Sequence, residues 1–226
     1  MKKLALSCLM LGASLSASAQ NSPVKFSIKA GVTIPTISGI GEGSDEVKPN
    51  PSFYFGATVD YPLTEIFSLQ SGLTFSGKGG KGDAKLITTG WPSDFNRKTR
   101  LWYLEIPVNA VLYLPAGNGK VFLAGGPYFG YAMSGKNKIG GTSSAPDYNN
   151  DGKLSTSIVS FTEDVKFGKD GSVKRSDFGL NFLAGYELNS GLNIQAGYGL
   201  GLTGIFEHVY TKNKNRVISV GIGFSF

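Results

Sequence analysis

The sequence has almost no cysteine or histidine: one residue of each, Cys8 and His208, occurs among 226 residues. Cys8 lies in the N-terminal segment described below, so the rest of the chain can form neither a disulfide nor a cysteine metal site. A single histidine cannot supply a three-histidine zinc site, and any Ser–His pair would have to include it. Because no pattern marks a nucleophile near His208, we expect no enzymatic activity and no cofactor.

Long apolar runs are missing as well. After the first twenty residues, no stretch reaches the roughly 18 consecutive apolar residues of a transmembrane helix, which excludes a helical membrane protein. The N-terminus carries Lys2 and Lys3, an apolar stretch over 4–11 and an A-x-A site at 17–19. These are the parts of a secretory signal peptide. We therefore predict that residues 1–19 are cleaved and that 20–226 form one domain.

Glycine and aromatic residues are abundant, with 32 Gly, 15 Phe and 10 Tyr. Glycine disfavours helices, whereas aromatic side chains favour strands. Eight segments alternate apolar residues with small or polar ones, which predicts eight strands. The segments are Lys25–Ile37, Phe53–Tyr61, Ile66–Ser76, Thr99–Leu114, Lys120–Ala132, Asp177–Leu188, Leu192–Leu202 and Arg216–Phe226.

The two faces of these strands differ in volume. One face is bulky, with residues such as Ile28, Phe55 and Ile222, and the other is rich in Gly, Ser and Asn. An eight-stranded barrel has an interior just wide enough to be filled by side chains, so the bulky face must point outward into lipid. The sequence therefore predicts an all-β, closed, eight-stranded antiparallel up-and-down transmembrane β-barrel.

The connections between the segments alternate in length. Those at 38–52, 77–98, 134–175 and 203–215 are long, whereas those at 62–65, 115–119 and 189–191 are short. Outer-membrane barrels have short periplasmic turns and longer external loops. We expect a bacterial outer-membrane protein with long external loops and with both termini in the periplasm.

Four stretches carry a family resemblance. The fourth segment contains "YLEIP", the first reads "FSIKAGVTIPTISG", the second and third read "FGATVDYPLTEIFSLQSGLTFS", and the chain ends in "GIGFSF". These stretches resemble the PorT-like family of outer-membrane β-barrel proteins. The resemblance implies the location and the architecture and brings no catalytic residue. The aromatic end, Phe224 and Phe226, resembles the signal that the barrel-insertion machinery reads during biogenesis.

The small and polar face carries five charged residues: Lys25, Lys29, Asp60, Glu105 and Glu187. An unpaired charge in so narrow an interior is costly, whereas a hydrogen-bonded pair is tolerated. We predict that Lys29 lies opposite Asp60 and pairs with it or with Glu187, which Lys25 also reaches. Glu105 is expected to meet Tyr54, Tyr103 or Arg100. The lumen is therefore predicted to be plugged by paired charges.

The long loops carry two further features. "DYNNDGKLS" begins like a calcium loop, with Asp147, Asn149 and Asp151 at ligand spacing, but Ile158 stands where the bidentate Glu would be. A calcium site and an ordinary Asx turn both remain open. The basic stretches "KGGKGDAK", "NRKTR" and "KNKNR" could meet the phosphates of lipopolysaccharide, or could simply keep the loops soluble.

These features favour a structural or surface-interaction role through the external loops, including service as an accessory of an envelope or secretion complex. The expected partners are outer-membrane lipid, lipopolysaccharide, the insertion machinery and an unidentified envelope protein, and nucleic acid is not among them. Three alternatives remain: a small channel or transporter, an outer-membrane lipid hydrolase that uses His208, and a soluble lipocalin-like binder with the two faces reversed.

Overall fold

The structure, a computed structural model, describes residues 24–38, 47–88, 91–146, 154–168, 173–206 and 213–226. These ranges contain nine strands, and every ladder that joins them is antiparallel. The strands are β1 (Lys25–Ser38), β2 (Ser52–Pro62), β3 (Phe67–Thr88), β4 (Trp91–Ala116), β5 (Gly119–Pro146), β6 (Leu154–Asp164), β7 (Ser176–Leu188), β8 (Leu192–Gly201) and β9 (Lys214–Ser225). The described part of the chain contains no helix long and apolar enough to cross a membrane.

Eight of the strands close into a ring. β1 to β5 pair in sequence order, β5 pairs with β7, and β7, β8 and β9 follow until β9 pairs with β1. β6 stands outside the ring and pairs with the far end of β5. The prediction of a closed, eight-stranded antiparallel barrel is confirmed.

The bulky face points away from the ring, as the volume argument requires. Ile28 and Phe55 are each 52% exposed, whereas Thr58, on the opposite face of β2, is only 3% exposed. The neighbouring strands repeat this pattern, so an apolar surface surrounds the ring. Such an exterior is stable in lipid.

Several glycines of the inner face make room for aromatic rings. Tyr54 lies directly opposite Gly31, and Tyr128 lies opposite Gly179. A Cβ on Gly31 would come within 2.7 Å of the Tyr54 ring, and one on Gly179 within 2.5 Å of the Tyr128 ring. The small residues therefore have two roles. They limit the side-chain volume inside the narrow lumen, and they leave space for large rings from the adjacent strand to lie across it.

Two of the predicted long loops contain strand. β3 and β4 continue through most of 77–98, and the predicted loop 134–175 contains the end of β5 and all of β6. Residues 77–88, 91–101, 134–146 and 154–164 form a four-stranded sheet beyond the ring, called here the projecting sheet. The predicted strands end too early here, because the chain continues as strand through much of both connections. Buried and exposed residues of this sheet, such as Thr99 and Lys98, are both polar, so the apolar alternation that marks the ring strands is missing from its sequence.

An apolar cluster, called here the apolar cap, covers the end of the lumen from which the projecting sheet rises. It consists of Ile37, Leu101, Tyr103, Ala132, Val165, Val173 and Ile205, with Val47, Phe167 and Phe206 packed against it. Backbone hydrogen bonds join its segments: the Lys174 N–H donates to the Ile205 carbonyl at 2.8 Å, and the Val165 N–H donates to the Gly135 carbonyl at 2.9 Å. The connections therefore fold inward over the ring.

Candidate functional site: the charged lumen

An ion cluster lies beneath the apolar cap and is centred on Lys78. Its ammonium nitrogen is 2.7 Å from Glu105 Oε1 and 2.8 Å from Asp177 Oδ2. The Lys78 side chain is 3% exposed. The ammonium group also lies 4.2 Å from the centroid of the Tyr128 ring, a cation–π distance. One buried lysine thus bridges carboxylates on two other strands, β4 and β7.

Asp177 collects the remaining hydrogen bonds of this cluster. Asn215 Nδ2 donates to its Oδ2 at 2.9 Å, Thr203 Oγ1 donates to its Oδ1 at 3.0 Å, and the Tyr128 hydroxyl lies 3.2 Å from Oδ2. Hydrogen bonds of this number offset the desolvation of a buried carboxylate. The cluster connects β3, β4, β5, β7 and β9 through their side chains.

A second ion cluster lies at the opposite mouth, where the described chain begins and ends. Glu187 pairs with Lys25, and Lys120 Nζ lies 3.3 Å from Glu187 Oε1. The hydroxyl of Ser225 donates to Glu187 Oε2 at 3.1 Å, and that of Ser27 donates to Ser225 at 2.9 Å. The structure therefore brings together Lys25 and Glu187, as the sequence suggested, and adds Lys120.

Lys29 lies between the two clusters. It lines a cavity of about 60 Å³ that Glu105 and Lys78 also line, and a second of about 30 Å³ that it shares with Asp60 and Glu187. Each has room for only a few water molecules. No ion pair of Lys29 is found among the described residues.

The predicted register of β1 against β2 is wrong. Asp60 faces Lys25, and Lys29 faces Gly56. Lys29 would lie near Asp60 only if β1 and β2 ended together at their connection, whereas β1 continues to Ser38 along β9 after its last pair with β2 at Thr33. The longer strand displaces the pairing by four residues.

The predicted partners of Glu105 are also wrong. Glu105 pairs with Lys78, whereas Arg100 is exposed and donates to the Pro51 carbonyl at 3.4 Å. Sequence reasoning misses Lys78 because it lies in the predicted loop 77–98, and the alternation marks Asp177 only as the first residue of a strand. The signal was present in the alternation, since Thr74, Ser76 and Lys78 continue the same inner face.

In the described part of the chain, the two ion clusters together with Lys29 and Asp60 between them comprise four ammonium groups and four carboxylates. The bases are Lys25, Lys29, Lys78 and Lys120, and the acids are Asp60, Glu105, Asp177 and Glu187. Equal numbers of opposite charges allow a narrow interior to be polar without a large net charge. A third cavity of about 210 Å³ lies at the mouth beside Lys25 and Lys120 and is lined also by Glu65 and Tyr113.

The other predicted site residues have different outcomes. Asp147, Asn149, Asp151 and His208 lie outside the described residues. The Phe224 and Phe226 rings face outward, 5.2 Å apart, and the Phe226 N–H donates to the Phe26 carbonyl at 2.8 Å. Within the described ranges, no group of three or more His, Cys, Asp or Glu residues is placed to hold a metal ion.

A closed ring with an apolar exterior and a polar, charge-paired interior defines an integral membrane β-barrel. Residues 18–207 match the family described as outer membrane protein beta-barrel domain, and the chain belongs to this family. Its members are proteins of the bacterial outer membrane. No curated protein matches the chain.

Solved structures of outer-membrane proteins are similar to this chain at low identity. Ail, the attachment invasion locus protein of Yersinia pestis, is 15% identical, with a TM-score of 0.41 and coverage of 89% of this chain and 98% of its own. OprG of Pseudomonas aeruginosa is 12% identical, with a TM-score of 0.44 and coverage of 89% of this chain and 95% of its own. The outer membrane protease OmpT of Escherichia coli is 13% identical, with a TM-score of 0.42 and coverage of 90% and 96%.

Proposed function

We propose that the protein is a sealed outer-membrane barrel with a structural or surface-interaction role, which it performs through the projecting sheet on the outside of the cell. The observation that carries the proposal is the filled lumen. The interior is filled by the two ion clusters, by the aromatic rings that lie over the glycines, and by the apolar cap. The proposal assigns the chain no enzymatic activity.

The filled lumen disfavours the channel alternative. The two inner cavities measure about 60 and 30 Å³, which is too small for a solute to pass. Opening a path would break the Lys78 ion pairs or separate the apolar cap, and both are buried. An eight-stranded ring also has no spare width once side chains fill it.

The distribution of connections supports an orientation with both termini in the periplasm. Lys25 and Ser225 lie at one mouth, together with the tight turns at 117–118 and 189–190. The projecting sheet and the apolar cap lie at the other mouth. Because short turns are typical of the periplasmic side, the projecting sheet faces outward from the cell.

The projecting sheet offers a surface for a protein partner in the envelope. β6 is the last strand of the sheet and pairs with β5 in the described ranges. It exposes Ile158, at 84%, and Phe161, at 47%. A terminal strand with apolar side chains is a typical place for a partner strand to add. This is the surface through which the protein would act as an accessory of an envelope complex.

Two experiments test the proposal. Purified protein in planar bilayers should show no steady conductance, and stable porin-like conductance would contradict the sealed barrel. Separately, a photo-reactive amino acid at Ile158 or Phe161 should give discrete protein adducts in intact cells, whereas the same group at the lipid-facing Ile222 should not. Adducts absent from both β6 positions would contradict a protein partner on the projecting sheet.

A further inference from the structure

Three lysines stand side by side across the projecting sheet. Lys81 of β3 is the direct partner of Lys98 of β4, and Lys98 is the direct partner of Lys138 of β5. Directly opposite residues in an antiparallel sheet have Cα atoms about 5 Å apart, and like charges in such positions are destabilising. Arg100 and Lys136 form a second opposed pair, two residues closer to the ring. These five residues are called here the basic patch.

The basic patch faces outward and not into the cap. Thr99 and Asn137, between its members on β4 and β5, point inward, are buried, and hydrogen-bond to each other through Oγ1 and Oδ1 at 2.9 Å. Their neighbours Lys98, Arg100, Lys136 and Lys138 are exposed, and Lys81 is half-buried. The alternation of the strands therefore places the five charges on the outer wall.

The same wall carries the end of the apolar belt. Trp102 stacks on Phe75 with ring centroids 5.2 Å apart, and Phe53 lies 4.7 Å from Trp102. Tryptophan and tyrosine concentrate where the hydrocarbon of a bilayer meets its headgroups. Arg100 and Lys98 lie two and four residues beyond Trp102, ~7 and ~13 Å along the strand, and less along the membrane normal because barrel strands tilt. With Trp102 at the boundary of the hydrocarbon, this spacing would place both residues in the headgroup layer.

The described protein leaves the basic patch poorly neutralised. None of Lys81, Lys98 and Lys138 forms an ion pair with a described residue. Among the described side chains, Asp164 of β6 lies opposite Lys136 of the patch. The five bases of the patch therefore outnumber the acid placed beside them, whereas the ion clusters of the lumen pair their charges. A row of like charges at headgroup depth is stabilised when anionic groups lie between its members.

We propose that the basic patch binds the phosphate groups of lipopolysaccharide in the outer leaflet. The lysines act as point charges on the phosphates, and Arg100 adds a planar donor that suits a phosphate oxygen pair. The acyl chains of the same molecule would lie on the apolar belt that contains Trp102. This inference rests on the proposed orientation of the barrel, because the patch must face the outer leaflet.

The test compares the wild-type protein in detergent with the triple variant K81Q/K98Q/K138Q. Bound glycolipid is measured by native mass spectrometry during titration with lipopolysaccharide or with enzymatically dephosphorylated lipopolysaccharide. The triple variant should bind the phosphorylated form about tenfold or more weakly, since each base near a charged membrane surface contributes appreciably. The charge-conserving variant K81R/K98R/K138R should bind like the wild type, which separates loss of charge from misfolding.

A matched control removes three lysines from other places, as K166Q/K174Q/K214Q, and should retain binding. Equal binding of the phosphorylated and dephosphorylated glycolipids would overturn the proposal. So would an equal loss in the two triple glutamine variants, or displacement of the glycolipid by millimolar inorganic phosphate, which would indicate a site for free anions. Porin-like conductance together with normal glycolipid binding would contradict the sealed barrel and leave the basic patch supported.

Discussion

The ammonium nitrogen of Lys78 lies 2.8 Å from Oδ2 of Asp177, across the lumen between two strands that are not neighbours in the ring. Removing the lysine would leave Asp177 and Glu105 buried without their shared cation. Breaking a buried pair in this way typically costs about 3–5 kcal/mol. Lys78→Met should therefore lower the free energy of unfolding by that amount, measured by urea titration in detergent or lipid vesicles. Lys166→Met, at an exposed position outside the ring, is the control, and an equal midpoint for both variants would disprove the role of the cluster.

Lys29→Met should destabilise the barrel by a few kcal/mol, but less than Lys78→Met. The positive charge of Lys29 offsets the negative charges of Glu105 and Asp60, with which it lines two small cavities. It has no ion pair among the described residues. Water in those cavities can take over part of its role. The same urea titration ranks the two variants, and unchanged unfolding of Lys29→Met would argue against a charge-balanced lumen.

Gly31→Ala should destabilise the protein by about 1–3 kcal/mol, a common result of overpacking. The new methyl group would lie 2.7 Å from the Tyr54 ring and 2.2 Å from the Val220 carbonyl oxygen. Gly82→Ala is a matched control, because a Cβ there would meet nothing within 4 Å. In a Tyr54→Ala background, Gly31→Ala should cost less, since only the backbone contacts with Val220 and Gly221 remain. Equal costs in both backgrounds would show that the ring and the glycine are not coupled.

Phe226→Asp, or deletion of Phe226, should reduce the amount of assembled, heat-modifiable protein without reducing export to the periplasm. Phe226 is 51% exposed and directly follows β9, so its ring is accessible to the insertion machinery. Phe161→Asp, which places the same change on the projecting sheet, should assemble normally. Normal assembly of the Phe226 variant would count against recognition of the aromatic end.

Surface proteolysis tests the orientation. A protease site inserted into the connection at 147–153 should be cut in intact cells, whereas the same site inserted at the 117–118 turn should be cut only after the outer membrane is permeabilised. Gel mobility of the fragments reports both results. Cleavage confined to the 117–118 site in intact cells would place the projecting sheet in the periplasm.

The parts of the fold that the sequence predicted are those where lipid and lumen impose opposite demands on alternate residues. Phe55 must face lipid, and Gly56 next to it must leave space inside, so alternation marks the strand. The projecting sheet escaped prediction because residues such as Lys98 and Thr99 differ little in polarity, although one is exposed and the other buried. The partner of Glu105 was not predicted for the same reason, since Lys78 lies just beyond the point where the apolar alternation of the third predicted strand ends. The register of β1 depended on the unequal lengths of two strands, which no local pattern encodes.

The hydrogen bond between Ser27 and Ser225 joins residues 198 positions apart. The ring therefore cannot close until β9 is available to pair with β1, and until then both strands have an unpaired backbone edge. Contacts at such separation make folding slow, and open edges favour aggregation. We therefore expect these edges to need protection until β9 has paired with β1.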